Sequence, residues 1–181
     1  MKRTAWVLLA LGLVATGCIL TSGQIQISFD LPGVVASSTT GIVGHEVNLN
    51  DESEYKDNKD KLKSLSDFAV LGKFVNNSGS PVDVEVWMTT DASSFTDKTA
   101  MEGSSKALKL WGPFTVPANG TRVVDWNDSA KLFTAAGKAA ILSEAKGPED
   151  GDFTLYAVGN AGTYDFSVDN GVLVLVIDAG I

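Results

Sequence analysis

The sequence predicts a mainly β protein, an immunoglobulin-like antiparallel β-sandwich with one or two short helices. Polar and apolar residues alternate without exception over residues 24–31, as in a strand with one buried and one solvated face. Clusters of Gly, Pro, Asn, Asp and Ser separate eight or nine strand-like segments of this kind. The last segment, residues 172–177, is apolar on both faces, which is typical of an interior strand. Together these patterns favour two packed sheets.

The first half of the chain begins with the strand at residues 24–31, which Pro32-Gly33 ends. Residues 42–49 are a candidate second strand. Residues 50–66 carry interleaved charges of both signs with a thin apolar stripe, which predicts a short exposed helix over one end of the sheet. Residues 67–75 are apolar on both faces and predict a central strand.

A second clean alternation follows the turn-forming residues 76–81. Val84 and Val86 should face the core, while Asp83, Glu85 and Trp87 should lie on the opposite face of the same strand. The two strands around this turn predict a hairpin.

The second half of the chain predicts further strands and one helical region. Strands are expected at residues 107–111, 114–116, 121–126, 153–158, 164–168 and 172–177. A helix is expected over residues 130–133, extending to residue 142 if Gly137 permits it. Asn170-Gly171 predicts a hairpin turn, because this pair tolerates the positive φ angles that such turns require.

The amino terminus has the order of a secretory signal peptide, predicted over residues 1–17. Lys2 and Arg3 precede an apolar run at residues 5–14, which is too short to span a bilayer. Small residues at 15–17 then lead into Cys18, the single cysteine of the chain. An ordinary secretory signal would leave this thiol free, whereas a lipid modification would consume it.

The small residues leading directly into Cys18 resemble the lipobox of bacterial lipoproteins, over residues 1–18 only. The resemblance implies cleavage after Gly17, lipidation of the Cys18 thiol and acylation of the new amino terminus with chains such as palmitate. In that family an Asp after the cysteine usually retains the protein in the inner membrane, and this chain has Ile19. The implied location is the bacterial cell envelope, with the outer membrane favoured in a cell that has two membranes.

The mature chain would consist of the lipidated cysteine with a short tether, residues 18–23, and a single β-sandwich domain, residues 24–181. Removal of the leader leaves 12 basic and 22 acidic side chains, a formal charge of −10. This charge opposes binding to nucleic acid and discourages the domain from lying on anionic headgroups. The membrane is therefore expected as a partner through the lipid anchor.

Candidate chemistry in the sandwich is sparse. His45 is the single histidine, and neither a nucleophile-elbow motif nor zinc-ligand spacing occurs, so the sequence predicts neither an enzyme nor a cofactor nor a metal site. Calcium binding stays an open alternative at two acidic segments, residues 51–60 and 149–152, although neither segment has the ligand spacing of an EF-hand. Trp87 is the candidate ligand-binding residue, since an exposed aromatic side chain can stack on a sugar or anchor a protein. A covering loop or helix would instead bury it.

These observations lead to the expectation of a non-catalytic envelope lipoprotein that acts as an interaction or structural module with an envelope protein partner. A carbohydrate- or small-ligand-binding lipoprotein using Trp87 is the first alternative. An envelope hydrolase using paired carboxylates is the second, because such pairs leave no sequence signature.

Overall fold

A computed structural model describes residues 22–31, 34–37, 41–42, 44–90, 94–146, 151–159 and 164–180. The strands are β1 (Ser22–Leu31), β2 (Val34–Ser37), β3 (Gly44–Asn48), β4 (Leu62–Asn76), β5 (Val82–Thr89), β6 (Ala107–Val116), β7 (Thr121–Val124), β8 (Asp152–Gly159) and β9 (Asp165–Gly180). Within these described ranges, four short helices lie between the strands, namely α1 (Ser53–Lys56), α2 (Lys98–Glu102), α3 (Trp126–Ala130) and α4 (Ala135–Ala145). Two 3-10 turns, Leu49–Asp51 and Lys59–Lys61, flank α1.

The strands form two antiparallel sheets, which confirms the predicted β-sandwich. One sheet has the order β1-β9-β4-β7, with β2 also paired to β9, and the other has the order β3-β8-β5-β6. The predicted hairpin around residues 76–81 is wrong, because β4 and β5 lie in different sheets. The strand pairs are nested along the chain. The innermost pair is β5–β6, which is enclosed in turn by β4–β7, by β3–β8 and by the pairing of β9 with β1 and β2. This nesting is the strand order of a jelly roll. It refines the expected immunoglobulin-like arrangement, in which the first strand pairs with the second strand rather than with the last.

The main core lies between the two sheets, and the alternation of β5 predicted its inward face correctly. Val84 is fully buried and Val86 is 6% exposed. Phe74 of the facing sheet stacks across the core with Trp111 of β6 at a ring separation of 5.8 Å, and Phe114 of β6 meets both rings edge-on. The predicted strand at 107–111 and the one at 114–116 are one continuous strand, β6.

The predicted hairpin at Asn170-Gly171 is wrong, because β9 runs without a break from Asp165 to Gly180. Asn170 has a positive φ of 51°, as expected for this residue, but the angle serves a β-bulge. Leu71 pairs with Val172 and Lys73 pairs with Asp169, so two residues of β9 oppose one residue of β4. The pairing with β4 continues on both sides of the bulge, so the two halves of β9 run on as one strand and do not fold back to pair with each other.

The predicted helix over residues 50–66 is also corrected. Only α1 and the two 3-10 turns are helical there, and β4 begins at Leu62, five residues before the predicted strand. Leu62 is 7% exposed and Tyr55 is 2% exposed, so this polar segment is held to the sandwich by two apolar side chains. Within the described part of the chain, no helix has the length and apolar character needed to cross a membrane.

The helical region after β7 covers the core between the sheets. In α3, Ser129 is fully buried, and its Oγ accepts a hydrogen bond from the backbone N–H of Val70 at 2.8 Å. Trp111 donates its indole N–H to the same Oγ at 3.0 Å. Gly137 allows α4 to lie directly on β6, because a Cβ there would stand 2.8 Å from the backbone of Leu110. α4 is therefore continuous through Gly137, but the predicted helix over 130–133 is wrong, since residues 131–134 connect α3 to α4.

Candidate functional site

Cys18 lies outside the described residues, but the structure shows where the chain that follows it enters the fold. β1 begins at Ser22, two residues before the predicted start of the domain, and Ser22 pairs with Gly180. Ser22 therefore lies on an edge strand, at one end of the five-stranded sheet. We call this the entry end of the sandwich.

Trp87 lies on the outer face of the four-stranded sheet, as the alternation predicted, but it is only partly exposed. Its indole Nε1 donates a hydrogen bond to Glu85 Oε2 at 3.1 Å. Glu85 also accepts a hydrogen bond from Lys109 at 3.1 Å and lies 4.0 Å from Lys98. With its side chain 14% exposed, Glu85 joins three neighbours across this face. Sequence reasoning missed Glu85, although its spacing to Trp87 on one face of a strand was visible.

A small second core covers part of the same outer face. Met101 of α2 is buried there against Tyr156 and Val158 of β8, with Trp87 and Phe95 packed at its margin. The cover is fixed by hydrogen bonds from the Phe95 N–H to the Tyr156 hydroxyl at 3.3 Å and from Lys98 Nζ to the Gly159 carbonyl at 2.7 Å. This packing differs from the open aromatic side chain that the ligand hypothesis assumed. A ligand-binding role for Trp87 stays a prediction.

His45 lies on the edge strand β3, between two concavities. One is an apolar cavity of about 30 Å³ between the sheets, which Phe74 and Val86 also line. The other is a surface crevice of about 180 Å³, where His45 is accompanied by acidic side chains, among them Asp30 and Glu46. The cavity is small, and apart from His45 the residues that line it are apolar, so it is suited to remain dry.

The acidic residues considered for calcium lie on separate short elements. Asp51 belongs to the first 3-10 turn and Glu54 to α1, while Asp152 opens β8. A hydrogen bond from the backbone and one from the Ser53 hydroxyl hold the pKa of Glu54 below its usual value. Across the residues with described positions, no group of three or more His, Cys, Asp or Glu side chains has the geometry of a metal site. Glu149 and Asp150 lie outside those residues.

Two buried polar residues hold the fold together and were not identified from the sequence. Ser129 joins α3 to β4 and β6 through the hydrogen bonds described above. Asn76, at the end of β4 and 1% exposed, joins the β4–β5 turn to the β6–β7 turn. Its amide Nδ2 lies 2.8 to 3.3 Å from the carbonyls of Ser80, Pro117 and Val116. Asn is common in turns, so the sequence indicates a turn at Asn76. Only the tertiary fold shows that its side chain is buried.

A third concavity lies at the entry end of the sandwich. Its volume is about 240 Å³, and its walls include Tyr55, Lys59, Asp60 and Lys146. The Tyr55 hydroxyl donates a hydrogen bond to the carbonyl of Ala145 at 3.4 Å, which ties α1 to the last residue of α4. The crevice is therefore built by two elements that are fixed to each other.

Comparison with known proteins yields structural neighbours only. No protein-family model matches the chain, and no curated protein matches its sequence. A structure of Desmodium yellow mottle tymovirus aligns with 88% of this chain and 88% of its own, at 9% identity and a TM-score of 0.32. A structure of the infectious bursal disease virus Gx strain aligns with 87% of this chain and 31% of its own, at 10% identity and a TM-score of 0.27. Such low TM-scores carry no argument, so the description of the fold rests on the strand order.

Proposed function

We propose that this protein is a bacterial cell-envelope lipoprotein, anchored through acyl chains on Cys18, whose sandwich is a non-catalytic interaction or structural module. The outer membrane is the proposed location in a cell with two membranes. The first support is the sequence of residues 1–18, with its charged start, apolar run and small residues before the cysteine.

The observation that carries the proposal is the short distance between Cys18 and the folded sandwich. β1 begins at Ser22, so three residues separate the cysteine from the sheet. Four Cα–Cα steps span at most about 14 Å. A sandwich anchored at Cys18 would stand directly on the membrane with its entry end inward, and the opposite end would face the envelope space.

The polar residues that the fold brings together support a module that acts through its surface. Asn76, Ser129 and Glu85 have hydrogen-bond partners within the protein, and each of them connects two or more elements of the sandwich. These contacts are what a rigid scaffold requires. The proposed partner is another protein of the envelope.

Metabolic labelling tests the anchor. The full chain is expressed in a bacterium with labelled palmitate, beside a Cys18→Ser variant and a Cys18→Ser/Ser22→Cys double variant. We expect the wild-type protein to carry label and to partition into detergent, and both variants to do neither. The double variant keeps one thiol but moves it away from the small-residue run. An unlabelled wild-type protein, or a labelled double variant, would contradict lipidation at Cys18.

In-cell crosslinking tests the proposed role. A photoreactive amino acid at Lys73, which lies on β4 far from the entry end, should capture an envelope protein, while one at buried Val84 should capture none. Equal capture from both positions would refute an interaction through the outward end of the sandwich.

A further inference from the structure

Four lysines gather at the entry end of the sandwich. The chain segment 59–63 reads Lys-Asp-Lys-Leu-Lys, and its three lysines are exposed. Lys146, at the end of α4, is half-buried and donates a hydrogen bond from Nζ to the carbonyl of Lys63 at 2.5 Å. We call Lys59, Lys61, Lys63 and Lys146 the lysine face.

Strand register places the lysine face beside the point where the anchor would enter. Ala179 of β9 pairs with Gly23 on one side and with Leu62 on the other. Leu62 is therefore level with Gly23, one residue into β1. Since β9 is the single strand between β1 and β4, the two positions are separated by two strand spacings, about 10 Å. The lysines on both sides of Leu62 would lie next to a membrane that holds Cys18.

The crevice of about 240 Å³ gives this face a concave part. Lys59 and Lys146 stand on its walls, and Asp60 is the acidic residue that lines it. An ammonium group carries three N–H donors, so Lys146 keeps donors for a ligand after its bond to the carbonyl of Lys63. The tie between Tyr55 and Ala145 fixes the walls before any ligand arrives.

The charge of this region differs from the charge of the whole chain. The mature chain would carry −10, yet segment 59–63 has three lysines and one aspartate. Asp57 and Asp178 flank the face and weaken its potential. Asp178 accepts hydrogen bonds from Ser64 at 2.6 Å and from Gln24 at 3.2 Å, which hold its pKa below the usual value. The expectation that net charge keeps the domain off anionic headgroups therefore does not extend to this end.

We propose that the lysine face binds the phosphate groups of anionic phospholipids in the membrane that carries the anchor. This inference rests on the proposed lipid anchor, which brings the face to the headgroups. Each lysine near an anionic surface adds to the attraction, so several lysines together would fix the orientation of an anchored sandwich.

The test imposes the anchor chemically and so does not depend on native lipidation. Both sheets lie within residues 22–180, so the chain from Cys18 onward retains every described strand pairing. Its single cysteine is coupled to a maleimide lipid in vesicles of phosphatidylcholine alone, or with about 30 mol% phosphatidylglycerol. An amine-reactive label and mass spectrometry then report the accessibility of each lysine.

On the anionic vesicles we expect labelling of all four lysines of the lysine face to fall at least about threefold relative to the neutral vesicles. Lys73, eleven residues along β4 from Leu62 and half-exposed, should label equally on both. About 1 M salt should abolish the protection, because the screening length falls to about 3 Å. Equal labelling of the lysine face on the two kinds of vesicle would overturn the proposal.

A variant with Lys59, Lys61 and Lys63 all replaced by Gln provides the matched control. These side chains are exposed, so the melting temperature should be unchanged. Lys146 should lose its protection on anionic vesicles in this variant and keep it in Lys73→Gln. Protection of Lys146 that survives the triple substitution would contradict a shared binding face. Failure of native lipidation would be seen separately, in the palmitate experiment.

Discussion

Replacement of Asn76 by Asp is the most informative perturbation of the sandwich. The substitution preserves shape but removes the two N–H donors that face the carbonyls of Ser80, Pro117 and Val116. The loss of two hydrogen bonds costs about 2 kcal/mol. An ionised carboxyl at a 1% exposed position, directed at carbonyl oxygens, adds a desolvation and repulsion cost of similar size or more. We expect the free energy of unfolding to fall by about 4 kcal/mol at pH 7.

The pH dependence of this variant gives the prediction a second readout. Burial should raise the pKa of the new carboxyl in the folded state above its unfolded value of about 4. The folded state then binds the proton more tightly, so the charge penalty is absent below pH 4 and grows as the pH rises through the folded pKa. The difference in stability from the wild type should therefore shrink to about 2 kcal/mol in acid.

Denaturant melts at pH 4 and pH 7 measure both effects, with Asn77→Asp as the matched control. Asn77 is exposed, and its amide lies 3.4 Å from Asp165, so its substitution should cost less than about 1 kcal/mol. Equal losses for the two variants, or a loss for Asn76→Asp that does not change with pH, would refute the account of Asn76 as a buried connection between two turns.

Three further substitutions test the packing by denaturant melts. Ser129→Ala should lower the free energy of unfolding by about 2 kcal/mol, because it leaves the buried N–H of Val70 without its acceptor. Gly137→Ala should destabilise by about 1 to 3 kcal/mol, against the usual gain for Ala in a helix, because its Cβ would lie 2.8 Å from Leu110. Val86→Asp should cost about 4 kcal/mol or more by burying a charge. Neutral results for Ser129→Ala, Gly137→Ala or Val86→Asp would contradict, respectively, the α3 connection, the α4 contact or the register of β5.

The sequence predicted those parts of the fold where one local pattern has one structural solution. The alternation over β5 admits a single inward face, and Val84 and Val86 are buried as expected. Asn170-Gly171 has two solutions, since a positive φ serves a hairpin turn and a bulge equally well. The choice between them is made by the pairing of β9 with β4, which lies about a hundred residues away in the chain.

Local sequence patterns are limited in the same way for the candidate sites, because long-range packing decides what surrounds each residue. The outward position of Trp87 follows from the alternation of its strand. The residues around Phe95 and Met101 partly cover it, and their sequence shows no hydrophobic periodicity that would indicate where they pack. The lysines of residues 59–63 are visible in the sequence. Their place beside β1 depends on the pairing of Ala179 with both Gly23 and Leu62. Such long-range register decides which side chains lie near the amino-terminal end of β1.

The mass of the amino-terminal peptide of the mature protein tests the central claim most directly. The protein is purified from the membranes of an expressing bacterium, digested with protease and analysed by mass spectrometry. The account predicts a peptide that begins at Cys18 and carries a diacylglyceryl group on sulfur, with a further acyl chain on nitrogen where the cell adds one. A mature protein that contains Cys18 with a free thiol, or that begins at any other residue, would contradict it.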